Sequence, residues 1–276
     1  MTNRILIVLI SIALMLQAIT LYKQHRRSSG PNSPVQPTRD PAPGTAIDLE
    51  GLPIKGSGDA RIVMIEFSDY ECPFCARHAM GVGKDIEKEF VSTGKVRHAF
   101  VNHPLPIHPN ARLLATAAMC AGHQDRYWEM HDALFSEEPK TREAIVRLAV
   151  SLVPDSGRVR ACFEHDVESQ KKIDREVLLT TNLGLLGTPD FAIGRITPQG
   201  RVRVFKFIIG AQPLSIFQKT IHEALNETPP SDSAGIGDLD FPSSEATSSD
   251  NGMTGPDILR QSVQRKDLLR LKIHLD

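Results

Sequence analysis

The chain has 276 residues, 41% hydrophobic and 24% charged, enough for one main domain with a sizeable core plus appendages. A formal net charge of −1 and a pI near 6.8 supply no electrostatic footprint for nucleic acid. Basic clusters with interleaved aromatics and internal repeats are also absent, so nucleic-acid partners are set aside.

In chain order, Ile5 to Tyr22 form an eighteen-residue uncharged run behind Arg4, at the lower limit for spanning a bilayer. Residues 1–24 read as a retained signal-anchor, because no Ala-x-Ala cleavage site follows Leu21; a long cleavable signal peptide is the alternative. Lys23, Arg26 and Arg27 beyond the run mildly favour a cytoplasmic domain. Four cysteines, two of them in separate helical segments, favour an oxidising compartment instead, and this chemistry outweighs a small charge difference. The expected location is the cell membrane, with a single N-terminal anchor and the domain facing the periplasm or cell exterior. Secretion to the periplasm after signal cleavage is the alternative.

Residues 25–45 are rich in Pro, Ser, Gly and Thr and read as a disordered linker. The main domain is expected over residues 46–226. Ile47 to Lys55 suggests a short outer strand, and the apolar, β-branched run Arg61 to Phe67 a central strand buried on both faces. After Cys72 the pattern turns helical until Gly94, with a bend where Gly81 and Gly83 weaken it. Lys95 to Val101 is the next strand and completes a β-α-β unit. A helical insertion is expected over about 107–183, with segments 111–122, 124–135, 141–152, about 159–163 and 167–183. Strands at 191–194 and 202–209 follow as a hairpin joined at Pro198-Gln199-Gly200, and then an amphipathic helix carries Leu214, Phe217, Ile221 and Leu225. Residues 227–276 read as a mostly disordered tail in which only Asp257 to His274 has a helical pattern.

Chemistry concentrates where the central strand runs into Cys72-Pro73-Phe74-Cys75 at a helix start. A helix N-terminus supplies partial positive charge and free N–H groups, which lower a cysteine's pKa and make its thiolate available as a nucleophile. Cys75, one turn on, is within reach to resolve a mixed disulfide formed at Cys72. A structural zinc site and a plain stapling disulfide are the competing readings; Cys120 and Cys162 are single and far away, which disfavours zinc. Glu66, an acid in an apolar strand, is either a buried functional carboxylate or one that reaches solvent at the strand end. His103, His108, His123 and His131 show no metal spacing and are expected as surface or capping residues, and Trp128 as helix packing.

Five separated motifs now point the same way. Glu66-Phe67-Ser68-Asp69-Tyr70, the CPFC sequence, Pro104-Leu105 with His108-Pro109-Asn110-Ala111, Tyr127-Trp128-Glu129-Met130-His131-Asp132, and Gly187-Thr188-Pro189 occur in the order found in the DsbA-like thioredoxin-fold thiol-disulfide oxidoreductases. From about residue 46 to 226 the chain resembles that family. The resemblance implies an α/β thioredoxin fold with an inserted helical domain, and disulfide exchange at an extracytoplasmic location on exported or unfolded protein substrates. It implies no cofactor, and a DsbB-like or equivalent membrane redox partner for recycling.

Residue by residue, it puts the attacking cysteine at Cys72, the resolving cysteine at Cys75 and a buried proton acceptor at Glu66. Pro189, preceded by Thr188, falls on the family's substrate-binding cis-proline, and Phe74 serves as an apolar lip. Some relatives bridge the positions of Cys120 and Cys162, which implies a structural disulfide; two free core cysteines are the alternative. The chain departs from the most oxidising members in having Phe74 where they carry a histidine, and in having Asp190 after the proline. The extra carboxylate is expected to disfavour the Cys72 thiolate and to moderate the oxidant. Introduction of disulfides is the first functional expectation. An isomerase or reductase using the same pair, and a thioredoxin-fold chaperone or adaptor without essential redox chemistry, are the others.

Overall fold

A computed structural model describes residues 36–165 and 167–227, together with isolated positions near the N-terminus. The described strands form one sheet: β1 (Thr38–Arg39), β2 (Ala46–Asp48), β3 (Ile54–Lys55), β4 (Ile62–Ser68), β5 (Val96–Asn102), β6 (Asp190–Ile196) and β7 (Arg201–Ile209). Its order is β1-β7-β6-β4-β5-β3, with β2 also on β7. β4 is central, parallel to β5 and antiparallel to β6. All seven of its residues are buried, as a strand covered on both faces requires.

The helices are α1 (Pro73–Met80), α2 (Val82–Ile86), α3 (Ala111–Gly122), α4 (Tyr127–Glu137), α5 (Arg142–Leu152), α6 (Ser156–His165), α7 (Val167–Asn182) and α8 (Leu214–Asn226). α1 and α2 are separated at Gly81, where a Cβ would stand 3.0 Å from the Arg77 carbonyl oxygen. A π-helical turn, Glu87–Val91, follows α2, and Gly94 leaves it with φ +75°. α3 to α7 lie between β5 and β6 and make the helical insertion.

Each sheet face has its own apolar layer. Val63, Ile65 and Phe67 pack with Val101, Leu185 and Val204; Ile62 and Met64 pack with Phe90, Phe191, Phe217 and Ile221. A third cluster joins the insertion to the sheet end through Tyr70, Phe100, Leu114, Met130 and Leu134, and both Cys72 and Cys75 belong to it. The cysteine pair therefore sits at the seam between the two halves of the fold.

Two expectations need revision. No helix among the described residues is long and apolar enough to cross a membrane, so the single N-terminal anchor is withdrawn from both the fold class and the location. An eighteen-residue helix rises only about 27 Å, short of a hydrocarbon core of about 30 Å. Most of Ile5 to Tyr22 lies outside the described residues, as do the tail beyond residue 227 and its helical pattern at Asp257 to His274. The ordered domain also begins earlier than 46: Thr38 and Arg39 pair with Ile208 and Phe207, and Arg39 Nη2 donates to the Leu183 carbonyl at 2.8 Å. A proline-rich stretch can still supply a short edge strand, because an edge leaves one side of its backbone unpaired.

Candidate active site

Cys72 is the N-cap of α1, with extended backbone (φ −78°, ψ 122°), and Pro73 opens the helix where its missing N–H costs nothing. Cys72 and Cys75 are unbridged and buried. As a thiol, Cys72 donates to the Thr188 carbonyl oxygen at 3.5 Å, and the Thr188–Pro189 peptide is cis. A hydrogen bond from Cys75 is the largest cause that lowers the Cys72 pKa to about 5. Burial opposes it, and the Thr188 side chain and the backbone N–H groups of Cys75 and Phe74 assist it. Burial first, then the neighbouring Cys72, pushes the Cys75 thiol well up. One sulfur is thus held as a thiolate and the other as a thiol.

The turn before the helix is clamped by two carboxylates. Asp69 Oδ1 accepts from Glu71 N–H at 2.8 Å, while Oδ2 accepts from Leu105 N–H and sits beside His108 Nδ1, both at 2.7 Å. Glu71 accepts from the Asn110 backbone N–H at 2.6 Å and from its side-chain amide at 3.1 Å. These contacts explain the Leu105 and His108-to-Asn110 motif: the loop holds the CPFC turn in register. His108 is a clamp rather than a surface group.

Glu66 is buried on β4, with Oε2 3.0 Å from His98 Nε2 on β5 and Oε1 unpartnered. Burial raises its pKa, but the His98 hydrogen bond and the charges of nearby histidines outweigh it and bring it to about 2. His131, expected as a surface or capping residue, is 3% exposed: its ring nitrogen Nδ1 lies 3.2 Å from the Tyr70 hydroxyl, and burial takes its pKa down to about 3. His103 is likewise buried, and burial lowers its pKa. A helical segment with two aromatics beside a histidine can face a core as readily as solvent, which is why pattern alone misplaces His131. His98 carries no motif of its own. Its one signal is a histidine alternating with Val96 and Phe100 on the strand parallel to the Glu66 strand.

Phe74 is 53% exposed beside Cys72, with the Arg77 guanidinium 4.9 Å from its ring centre. Asp190 begins β6 and accepts the Gly210 N–H at 2.9 Å; burial raises its pKa to about 6. Cys120 and Cys162 are joined by a disulfide between α3 and α6, with Cα atoms 5.8 Å apart. Among the described residues, no group of three or more His, Cys, Asp or Glu side chains is arranged to hold a metal ion.

With this geometry in place, the comparison with known proteins is decisive at the family level. Residues 49–200 match the family model described as Thioredoxin. The chain belongs to the thioredoxin family. Within it, the chain is similar to proteins of disulfide-bond formation. It is 32% identical over 98 residues to "Disulfide bond formation protein D" of Bacillus subtilis, covering 34% of this chain and 43% of that protein. It is 30% identical over 151 residues to "Na(+)/H(+) antiporter NhaA 3" of Salinispora tropica, covering 53% of this chain and 22% of that one. The chain spans less than half the length of these curated relatives, and transport belongs to the antiporter. Solved structures share the thioredoxin fold: BdbD of Bacillus subtilis (TM-score 0.56, 23% identity, 69% of this chain and 98% of that one) and alpha-DsbA1 of Wolbachia pipientis (TM-score 0.55, 22%, 65% and 93%).

Proposed function

We propose that this thioredoxin-family protein is an extracytoplasmic thiol-disulfide oxidoreductase that exchanges disulfides with polypeptide substrates through Cys72 and Cys75. The observation that carries the reading is the geometry at the helix start: Cys72 caps α1 and faces the Thr188 carbonyl before cis-Pro189, with its pKa lowered, and the buried Cys75 stands one turn on, with its pKa raised. Starting from the Cys72–Cys75 disulfide, a substrate thiolate attacks Cys72 and the bond to Cys75 breaks. Cys75 departs with the electron pair and takes up a proton. A second substrate thiolate then attacks the substrate sulfur of the mixed disulfide and releases Cys72 as its thiolate. Two electrons have passed from substrate to enzyme.

Exposed Phe74, Ile107 and Leu186 support a polypeptide as the substrate. Phe74 follows Cys72 by two residues, Ile107 lies in the loop clamped to Asp69 and Glu71, and Leu186 precedes Thr188 by two. The Cys120–Cys162 bridge supports an oxidising compartment. Proteins of the DsbA-like kind act on exported substrates and are reoxidised by a membrane partner, and we assign this chain substrates and a partner of that class.

Stabilisation of the Cys72 thiolate favours the dithiol form, and therefore a pair that gives its disulfide away. The second reading, isomerase or reductase, uses the same pair as a dithiol, the form that attacks a substrate disulfide. Acid quenching of living cells, followed by mass-tagging of free thiols at each pair, separates them. Both pairs blocked identifies an oxidase kept charged by a partner. Cys72 and Cys75 free with Cys120 and Cys162 blocked identifies an isomerase or reductase, and unchanged activity in cells after Cys72→Ser would reject redox chemistry in favour of a chaperone.

A further inference from the structure

Behind the cysteine pair, the sheet and the insertion enclose titratable side chains that the exchange scheme above leaves without a task. Cys75 is fully buried, yet it must gain or lose one proton each time it leaves or enters a disulfide. Ser68 at the end of β4 is near enough to Cys75 to act on its pKa, and its buried hydroxyl has no hydrogen-bond partner. Glu66 lies two residues back on the same strand, hence on the same face. Its Oε1 is buried with no hydrogen-bond partner, a rare condition for a carboxylate oxygen, and its Oε2 is held by His98. Ser68 and Glu66 thus put polar groups on one face of β4, with His98 bonded to the second and Cys75 neighbouring the first.

Three histidines influence Glu66, and they differ in what they can do. His78 from α1 packs its ring against Phe191 and Phe217, at 4.5 and 5.3 Å, and both ring nitrogens are buried without partners. His131 from α4 is tied to Tyr70. Burial disfavours the charged form of both. His98 bonds the carboxylate directly, and its side chain retains 9% exposure. Its ring lies 5.2 Å from that of Trp128, over which the ammonium of Lys55 stands 4.6 Å away on β3; Lys55 in turn pairs with Glu87 at 2.5 Å from the π-helical turn. Asp132, the α4 carboxylate that acts on His131, is engaged outside by Lys84.

We infer that His98 is the positioning residue of the exchange reaction that relays a proton between Glu66 and solvent whenever Cys75 changes state. The inference rests on the oxidoreductase reading and is indifferent to its direction. When the Cys72–Cys75 bond breaks, the Cys75 sulfur leaves with the electron pair and takes a proton from the Glu66–His98 pair, which water restores at His98. In reverse, the Cys75 thiol gives its proton to the pair, its sulfur attacks Cys72, and the substrate sulfur leaves with the electrons. A fixed cation beside Glu66 could only hold the carboxylate in place. A histidine can also cycle a proton, since it is the side chain that changes charge near neutrality.

The test isolates the Cys75 step. The full chain is loaded with a peptide thiol as a mixed disulfide at Cys72, and release is followed in single turnovers from pH 5 to 9, with Cys72 ionisation read separately by thiolate absorbance. His98→Gln keeps a donor to Glu66 but cannot titrate. It should slow release by roughly tenfold or more at neutral pH and change the pH dependence of release, leaving Cys72 ionisation unchanged. The double variant with Glu66→Gln should be no slower than either single variant, because the pair acts as a unit. A wild-type release profile in His98→Gln would overturn the relay, since a non-titrating donor would have rescued a merely structural role. A wild-type chain that forms no mixed disulfide at Cys72 would instead reject the oxidoreductase reading and the relay together, an outcome distinct from normal exchange with unaltered release.

Discussion

Two pairs of sulfur atoms share one core cluster and meet opposite fates. Cys120 and Cys162, 42 residues apart in sequence, are bridged between two helices; Cys72 and Cys75, at the start of one helix, stand open. Burial does not separate them, since Cys75 and Cys120 are both within 1% of complete burial. What separates them is the supply of hydrogen-bond donors. Cys72 neighbours the Cys75 thiol, Thr188 and two backbone N–H groups at the helix start, whereas Cys120 sits near the end of α3, whose N–H groups are spent within the helix. A thiol becomes reactive where the backbone has donors left to give.

The sharpest way to break this comparison is to remove each pair in turn. Cys72→Ser should abolish exchange with a model disulfide, by on the order of 10³-fold or more, and Cys75→Ser should trap a mixed disulfide. Replacing Cys120 and Cys162 together should leave the exchange rate near wild type while costing about 4 kcal/mol in urea unfolding, the loop-closure value for such a separation. If the second replacement slowed exchange as severely as the first, the two pairs would not be divided into reactive and structural.

Acid and base sharpen the contrast next. The Cys72 pKa falls from 9.0 to about 5 on folding, so its contribution to dithiol stability is present above pH 9 and is lost as pH falls through about 5. Cys75, shifted upward, works in the opposite sense above pH 9, which closes the window at that end. Between pH 5 and 9 the dithiol form should therefore gain stability with pH relative to the form with Cys72 and Cys75 bridged. The Cys120–Cys162 bridge, which cannot titrate, cancels from the difference. Denaturant melts of both forms at pH 5, 7 and 9 check it, and parallel curves would contradict the thiolate assignment. Thr188→Val should move Cys72 ionisation in the same direction as Cys75→Ser but by less, because the Cys75 thiol is the larger cause.

Much of this arrangement is legible in the sequence. The largely apolar β4, the segments of the insertion and the hairpin of β6 and β7 follow periodicity, since each buries one or both faces in a fixed repeat. The CPFC position follows from strand, turn and helix in succession. The Glu66–His98 contact is not legible, because it depends on the register between parallel strands, where Met64 stands opposite His98 and places the histidine diagonally from Glu66. Thr38 and Arg39 are hidden by composition: prolines and small residues mask a two-residue strand whose partners, Ile208 and Phe207, lie far along the chain, which only the closed sheet reveals.

Asp190 gives the smallest expected effect and the finest test. Sequence alone sets its carboxylate after the proline, near enough to discourage a thiolate at Cys72. In the folded chain it is occupied by the Gly210 N–H, and the causes that set the Cys72 pKa are Cys75, burial, Thr188 and the helix N–H groups. Asp190→Asn should therefore leave Cys72 ionisation unmoved. Its signature belongs to stability instead. A carboxylate whose pKa is raised from 3.8 to about 6 contributes fully below pH 3.8 and loses that contribution as pH rises through about 6. The asparagine has no such loss, so the variant should compare more favourably with wild type at pH 8 than at pH 5. A lowered Cys72 pKa in Asp190→Asn would show that the carboxylate acts on the sulfur after all, and would make charge, alongside hydrogen bonding, part of what distinguishes the open pair from the bridged one.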